Sequence, residues 1–69
     1  MRTDLYHVIS ETSEDRYGEA ASFEEAVRIA RSAAREGRAG EPVSIEYHGK
    51  VIRQMVLAPD GKVAEEVIA

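Results

Sequence analysis

The sequence contains no cysteine and no tryptophan, and of its 69 residues only one is phenylalanine and three are tyrosine. Without thiols the chain has neither a disulfide framework nor a thiolate zinc site to supplement its core. At this length a single domain over residues 1–69 is expected, and so short a chain buries a smaller fraction of its surface than a longer one. Its stability must come from packing alone or from self-association. No apolar run approaches the roughly 20 residues of a membrane span. His7, Ser10 and Glu11 also interrupt any signal-like apolar region after Met1-Arg2-Thr3-Asp4. The expectation is a cytoplasmic protein without membrane association.

Net positive charge is missing too. Thirteen acidic residues against nine basic give −4, which disfavours general nucleic-acid binding, since phosphate contacts need local positive charge. The balance is uneven: Glu11, Glu14, Asp15 and Glu19 cluster early, and Arg28, Arg31, Arg35 and Arg38 fall on one later segment.

Catalytic patterns are equally scarce. The only histidines, His7 and His48, lie far apart and lack the His-x-x-x-His spacing of a metal pair. Gly37, Gly40 and Gly49 form neither GxGxxG nor a P-loop. The serines occupy turn, cap and strand positions, and carboxylates on an acidic chain single out no acid/base pair. The chain reads as non-enzymatic, with no metal and no cofactor.

What is present is a helix. Ser22 to Gly40 opens with Ser22-Phe23-Glu24-Glu25, a capping box in which the Ser22 hydroxyl accepts from the Glu25 amide and the Glu25 carboxylate reaches back. Glu24 and Glu25 suit the positive end of the helix dipole. Gly37 or Gly40 is positioned to end the helix, with Pro42 beyond. Phe23, Ala26, Val27, Ala30, Ala33 and Ala34 recur at three and four and form one apolar face, mostly alanine. Arg28, Arg31, Arg35 and Arg38 recur in the same way along one flank, with Glu24 spaced to pair with Arg28. This ridge is either an anion-binding strip or a solvated face whose arginine stems cover the core's edges.

Strand signals flank the helix. Leu5 to Ile9 is β-branched and aromatic, and Arg16 to Ala21 follows a polar turn. In that second strand Tyr17, Glu19 and Ala21 share a side, and Gly18 suggests a bulge or a close backbone approach. Val43, Ile45 and Tyr47 alternate with Ser44 and Glu46, ahead of a turn at His48-Gly49-Lys50. With Gly49-Lys50 at the tip, Tyr47 faces Ile52, and Glu46 faces Arg53 as an outer ion pair. Ile52 and Val56 then meet the helix, while Val51, Met55 and Leu57 fall on the opposite face with Arg53 between them. After a turn at Pro59-Asp60-Gly61, Val63 to Ile68 forms a last strand, or a frayed helical end, with Val63 beside Leu57. The expected fold is α+β: a small two-layer domain, an antiparallel sheet with one helix on one face, in the order β-β-α-β-β-β.

The stretch Ser22-Phe23-Glu24-Glu25-Ala26-Val27 with Ala30, after a strand pair, resembles the helix opening of several small bacterial families, HicB-like antitoxin domains among them. The resemblance covers residues 5 to 47 at most. Arg16-Tyr17-Gly18-Glu19 stands where a HicB-like domain has a glycine-rich second strand, and no site is carried over.

Three functions are compatible with this reading. The first is a protein-interaction or regulatory module that forms a homodimer through the outer sheet face, with Val51, Arg53, Met55 and Leu57 as contact residues, because exposed apolar patches mark interfaces. Its competitor is that the first hairpin or the C-terminal segment covers those residues. The second is nucleic-acid binding through Arg28, Arg31, Arg35 and Arg38. The third is a small inhibitor of a larger protein partner.

Overall fold

Short β-branched runs become strands and the alanine-rich repeat becomes a helix, in the expected order. The computed structural model describes residues 4–13, 15–37 and 39–68. It contains β1 (Tyr6–Ser10), β2 (Arg16–Ala20), α1 (Phe23–Glu36), β3 (Val43–Tyr47), β4 (Lys50–Leu57) and β5 (Val63–Val67). The five strands form one sheet in the order β2-β1-β3-β4-β5, with every neighbouring pair antiparallel. Because β1 lies between β2 and β3, the helix crosses over β1 to connect them. The domain is a small α+β fold.

Half of the capping box forms. The Ser22 hydroxyl accepts the Glu25 amide at 3.2 Å, and the reciprocal bond from Glu25 is absent among the described residues. The helix stops at Glu36, a turn before Gly40. Gly37 is extended there, and its N–H reaches the carbonyls of Ala33 at 3.0 Å and Ala34 at 3.3 Å. Gly40 takes positive φ, and its N–H donates to the Leu57 carbonyl at 2.9 Å, tying the connecting loop to the end of β4.

Ala26, Ala30 and Ala34 are buried against Val8, Ala20, Val43, Ile45 and Met55. Small side chains along that line let the helix lie close to the sheet. Bulk comes from partly buried Tyr6, Phe23, Val27, Ile29, Ile52 and Val63 around the edge.

Two bulges set which side chains meet the helix. In the first hairpin Val8 opposes Gly18 but Ile9 opposes Arg16, so Tyr17 is the extra residue. Gly18 and Ala20 therefore share the helix side with Val8 and Tyr6, and Glu19 lies outside opposite His7. The expected grouping of Tyr17, Glu19 and Ala21 fails because the bulge breaks the alternation. Of the two readings of Gly18 the bulge is the one that holds, since a β-carbon there would meet the Ile29 side chain at 3.5 Å, an ordinary contact distance.

The second bulge corrects the expected faces of β4. His48-Gly49 forms the turn tip, with φ of 54° and 78°, so Tyr47 pairs with Lys50 and Glu46 with Val51. Ile45 then pairs with Arg53 instead of Ile52, and Val43 pairs with Met55. One inserted residue reverses the alternation beyond it. Arg53, Met55 and Leu57 consequently lie on the helix side, and Val56 lies opposite. Ile52, at the bulge, still packs against the core. The expected Glu46–Arg53 ion pair is replaced by contacts of Arg53 with Glu65 and Phe23.

The outer face is correspondingly polar. It carries Arg16, Glu19, His7, Glu46, Ser44, Gln54 and Glu66, with Ile9, Val51, Val56 and Ala64 dispersed among them. Ser44 is fully buried on this face. Its hydroxyl donates to the Glu11 carboxylate and accepts from the Gln54 amide at 3.4 Å.

Candidate functional site

The four residues expected to line an outer apolar patch are not together there. Met55 is fully buried in the core. Leu57 is half-buried on the helix side opposite Val63. Arg53 lies 5.0 Å over the Phe23 ring and 3.6 Å from Glu65, and also donates to the Ile52 carbonyl at 2.8 Å. Only Val51 occupies the outer face, opposite Glu46.

The arginine ridge is divided. Arg31 is 3.1 Å from the Glu65 carboxylate, which links the helix to β5. Arg28 and Arg35 are exposed and have no ion-pair partner among the described residues, Glu24 included. Arg38 lies outside the described residues. Of the three described arginines of the ridge, Arg31 is held by Glu65 while Arg28 and Arg35 are exposed.

The histidines also have structural contacts. His7 lies 3.2 Å from Glu19, which Arg16 approaches at 3.6 Å. His48 stands edge-on to Tyr47, and Tyr47 stacks on Tyr6. Among the described residues no group of three His, Cys, Asp or Glu is arranged to hold a metal ion.

Exposed apolar bulk collects instead at the ends of the sheet. Val67 is 65% exposed, Ile68 45% and Tyr17 44%, and these are the exposed large hydrophobics of the described residues. Two of the three belong to the last strand and its end. β5 is an edge strand, and the helix contacts it through little more than the Arg31–Glu65 pair. Val63, Glu65 and Val67 face the helix side, as their partners Leu57, Met55 and Arg53 do.

The hydrogen-bond phase of β5 follows from its two ends. The Ala58 amide donates to the Lys62 carbonyl, and the Ile68 amide to the Ile52 carbonyl. Even-numbered residues thus bond to β4, because antiparallel pairs alternate between bonded and non-bonded types. The N–H and C=O groups of Val63, Glu65 and Val67 consequently face the open edge. The apolar content of residues 63 to 68 is the sign of such an edge in the sequence. The apparent patch on β4 concealed it.

No helix of the described residues is long and apolar enough to cross a membrane. No protein-family model, curated protein or solved structure matches the chain. The likeness of its helix opening to HicB-like domains accordingly assigns it no site.

Proposed function

We propose that this protein is a non-enzymatic interaction module that self-associates by pairing its β5 edge with the β5 edge of a second copy. The observation that carries the reading is the open edge of Val63–Val67, which ends in exposed Val67 and Ile68. Unpaired strand edges are templates for strand addition.

The edge is self-complementary. A two-fold axis at Glu65 places Val63 of each copy opposite Val67 of the other, and continues the sheet through ten strands. Both helices then lie on one side of it, with Leu57, Val63 and Val67 of each copy between them. Glu65 would face its equivalent, but each carboxylate is already compensated by Arg31 and Arg53 of its own chain. So short an edge buries little area, and the dimer is weak and concentration-dependent.

Amide hydrogen exchange tests this directly. The amides of Val63, Glu65 and Val67 are expected to exchange more slowly as protein concentration rises, while those of Ala64 and Glu66 remain protected throughout. Exchange at the odd positions that ignores concentration would exclude β5 pairing. Salt-sensitive nucleic-acid binding lost on Arg28→Ala or Arg35→Ala would instead favour the helix surface.

A further inference from the structure

The sheet has two edges, and they differ in regularity. Along β5 the outward backbone groups belong to Val63, Glu65 and Val67, spaced by two residues as a pairing strand requires. Along β2 that spacing is broken. The Ser10 amide bonds to the Asp15 carbonyl and the Glu11 amide to the Pro42 carbonyl, so even-numbered residues of β1 serve β2 and odd-numbered ones serve β3. Gly18 and Ala20, opposite Val8 and Tyr6, therefore bond inward, while Arg16 and Glu19, opposite Ile9 and His7, face outward. The inserted Tyr17 sets these two outward residues three apart. It also bends the strand and increases its local twist. Beyond the bulge β2 holds one outward residue, Glu19, against three along β5.

The Arg16–Glu19 pair marks the same insertion. Residues three apart in an unbroken strand point to opposite faces. Here the Arg16 guanidinium lies 3.6 Å from the Glu19 carboxylate on the outer face, across the bulge. His7 joins them, 3.4 Å from the guanidinium and 3.2 Å from the carboxylate. A bulge and charged side chains at an edge are two of the ways in which sheets avoid adding strands.

We infer that the Tyr17 bulge, with the Arg16–Glu19 pair across it, closes the β2 edge to strand addition and so stops growth of the sheet at two copies. The stoichiometry rests on the β5 pairing proposed above: a two-fold dimer joined through β5 ends in β2 on both sides, and an open β2 would let it lengthen further. The closure of β2 is independent of that pairing.

The test compares the full chain with an opened variant that lacks Tyr17 and carries Arg16→Thr and Glu19→Thr, each with and without Val67→Pro, by light scattering over a range of concentration. Removing Tyr17 leaves Gly18 opposite Val8 and Arg16→Thr opposite Ile9, and it restores the two-residue spacing. Tyr17 is 44% exposed and stands outside the core cluster, so the fold has little to lose. The parent should reach no more than twice its monomer mass. The opened variant should grow past that limit, and adding Val67→Pro should hold it at two copies, joined through β2. A monomeric parent beside an opened variant that dimerises with or without Val67→Pro would support the closed edge and refute the β5 pairing. A parent that grows beyond two copies, or a folded opened variant with the parent's mass throughout, would overturn the inference. Amide exchange on the parent needs no variant: the Arg16 and Glu19 amides should exchange at rates independent of concentration. Slowing of both as concentration rises would show that β2 accepts a strand.

Discussion

Single side chains decide more here than their chemical type suggests. Met55 sits in an apparently exposed run of β4, yet it is fully buried between the sheet and the alanine face of the helix. Truncation to alanine leaves a cavity in a core with little bulk, and Met55→Ala should cost about 2–5 kcal/mol in urea unfolding. A loss below about 1 kcal/mol would mean that the side chain is not in the core. Ser22 has a smaller, local role. Its hydroxyl satisfies one otherwise unpaired helix amide, so Ser22→Ala should cost about 1 kcal/mol with the fold unchanged by circular dichroism. A change within error would show that solvent caps the helix equally well.

At the scale of elements, the extra residue in β4 controls the architecture. Ile52 interrupts the alternation between Val51 and Arg53 and thereby turns Arg53, Met55 and Leu57 toward the helix. Deleting Ile52 should close the bulge and leave Ile45 opposite Arg53 and Val43 opposite Met55, so the variant should keep Met55 buried and unfold cooperatively, at a lower midpoint because the Ile52 packing is lost. A deletion variant that exposes Met55 or loses cooperative unfolding would contradict this account of the register. The same residue explains what the sequence made legible. The helix start and the order of elements were readable, because capping residues and alternation act locally, whereas the second hairpin turns at His48-Gly49, one residue before the expected Gly49-Lys50 tip. The faces of β4 were not, because a bulge is a property of two paired strands and Ile52 carries no local mark of it. The proposed edge was hidden by the same error: with Met55 and Leu57 assigned to the surface, the apolar character of Val67 and Ile68 was secondary. Gly18 was different, since a glycine inside a strand is a local sign, and the bulge falls beside it.

For the whole molecule, the thin core and the open edge belong together. Alanine along the buried helix face brings the layers close but contributes little apolar area. The helix also leaves β5 largely uncovered. Pairing two copies through β5 would satisfy the odd-numbered amides and cover Leu57, Val63 and Val67, which is how a small domain gains stability from association. The most direct measurement is solution mass by light scattering as concentration is raised, on the parent chain and on Val67→Pro. The Val67 amide faces the open edge, so proline there removes no bond of the β4–β5 ladder. The parent should shift from monomer toward dimer while Val67→Pro remains a folded monomer. A parent that stays monomeric to about 1 mM, where association is worth only about −4 kcal/mol, or a dimer that survives Val67→Pro, would contradict the β5 interface.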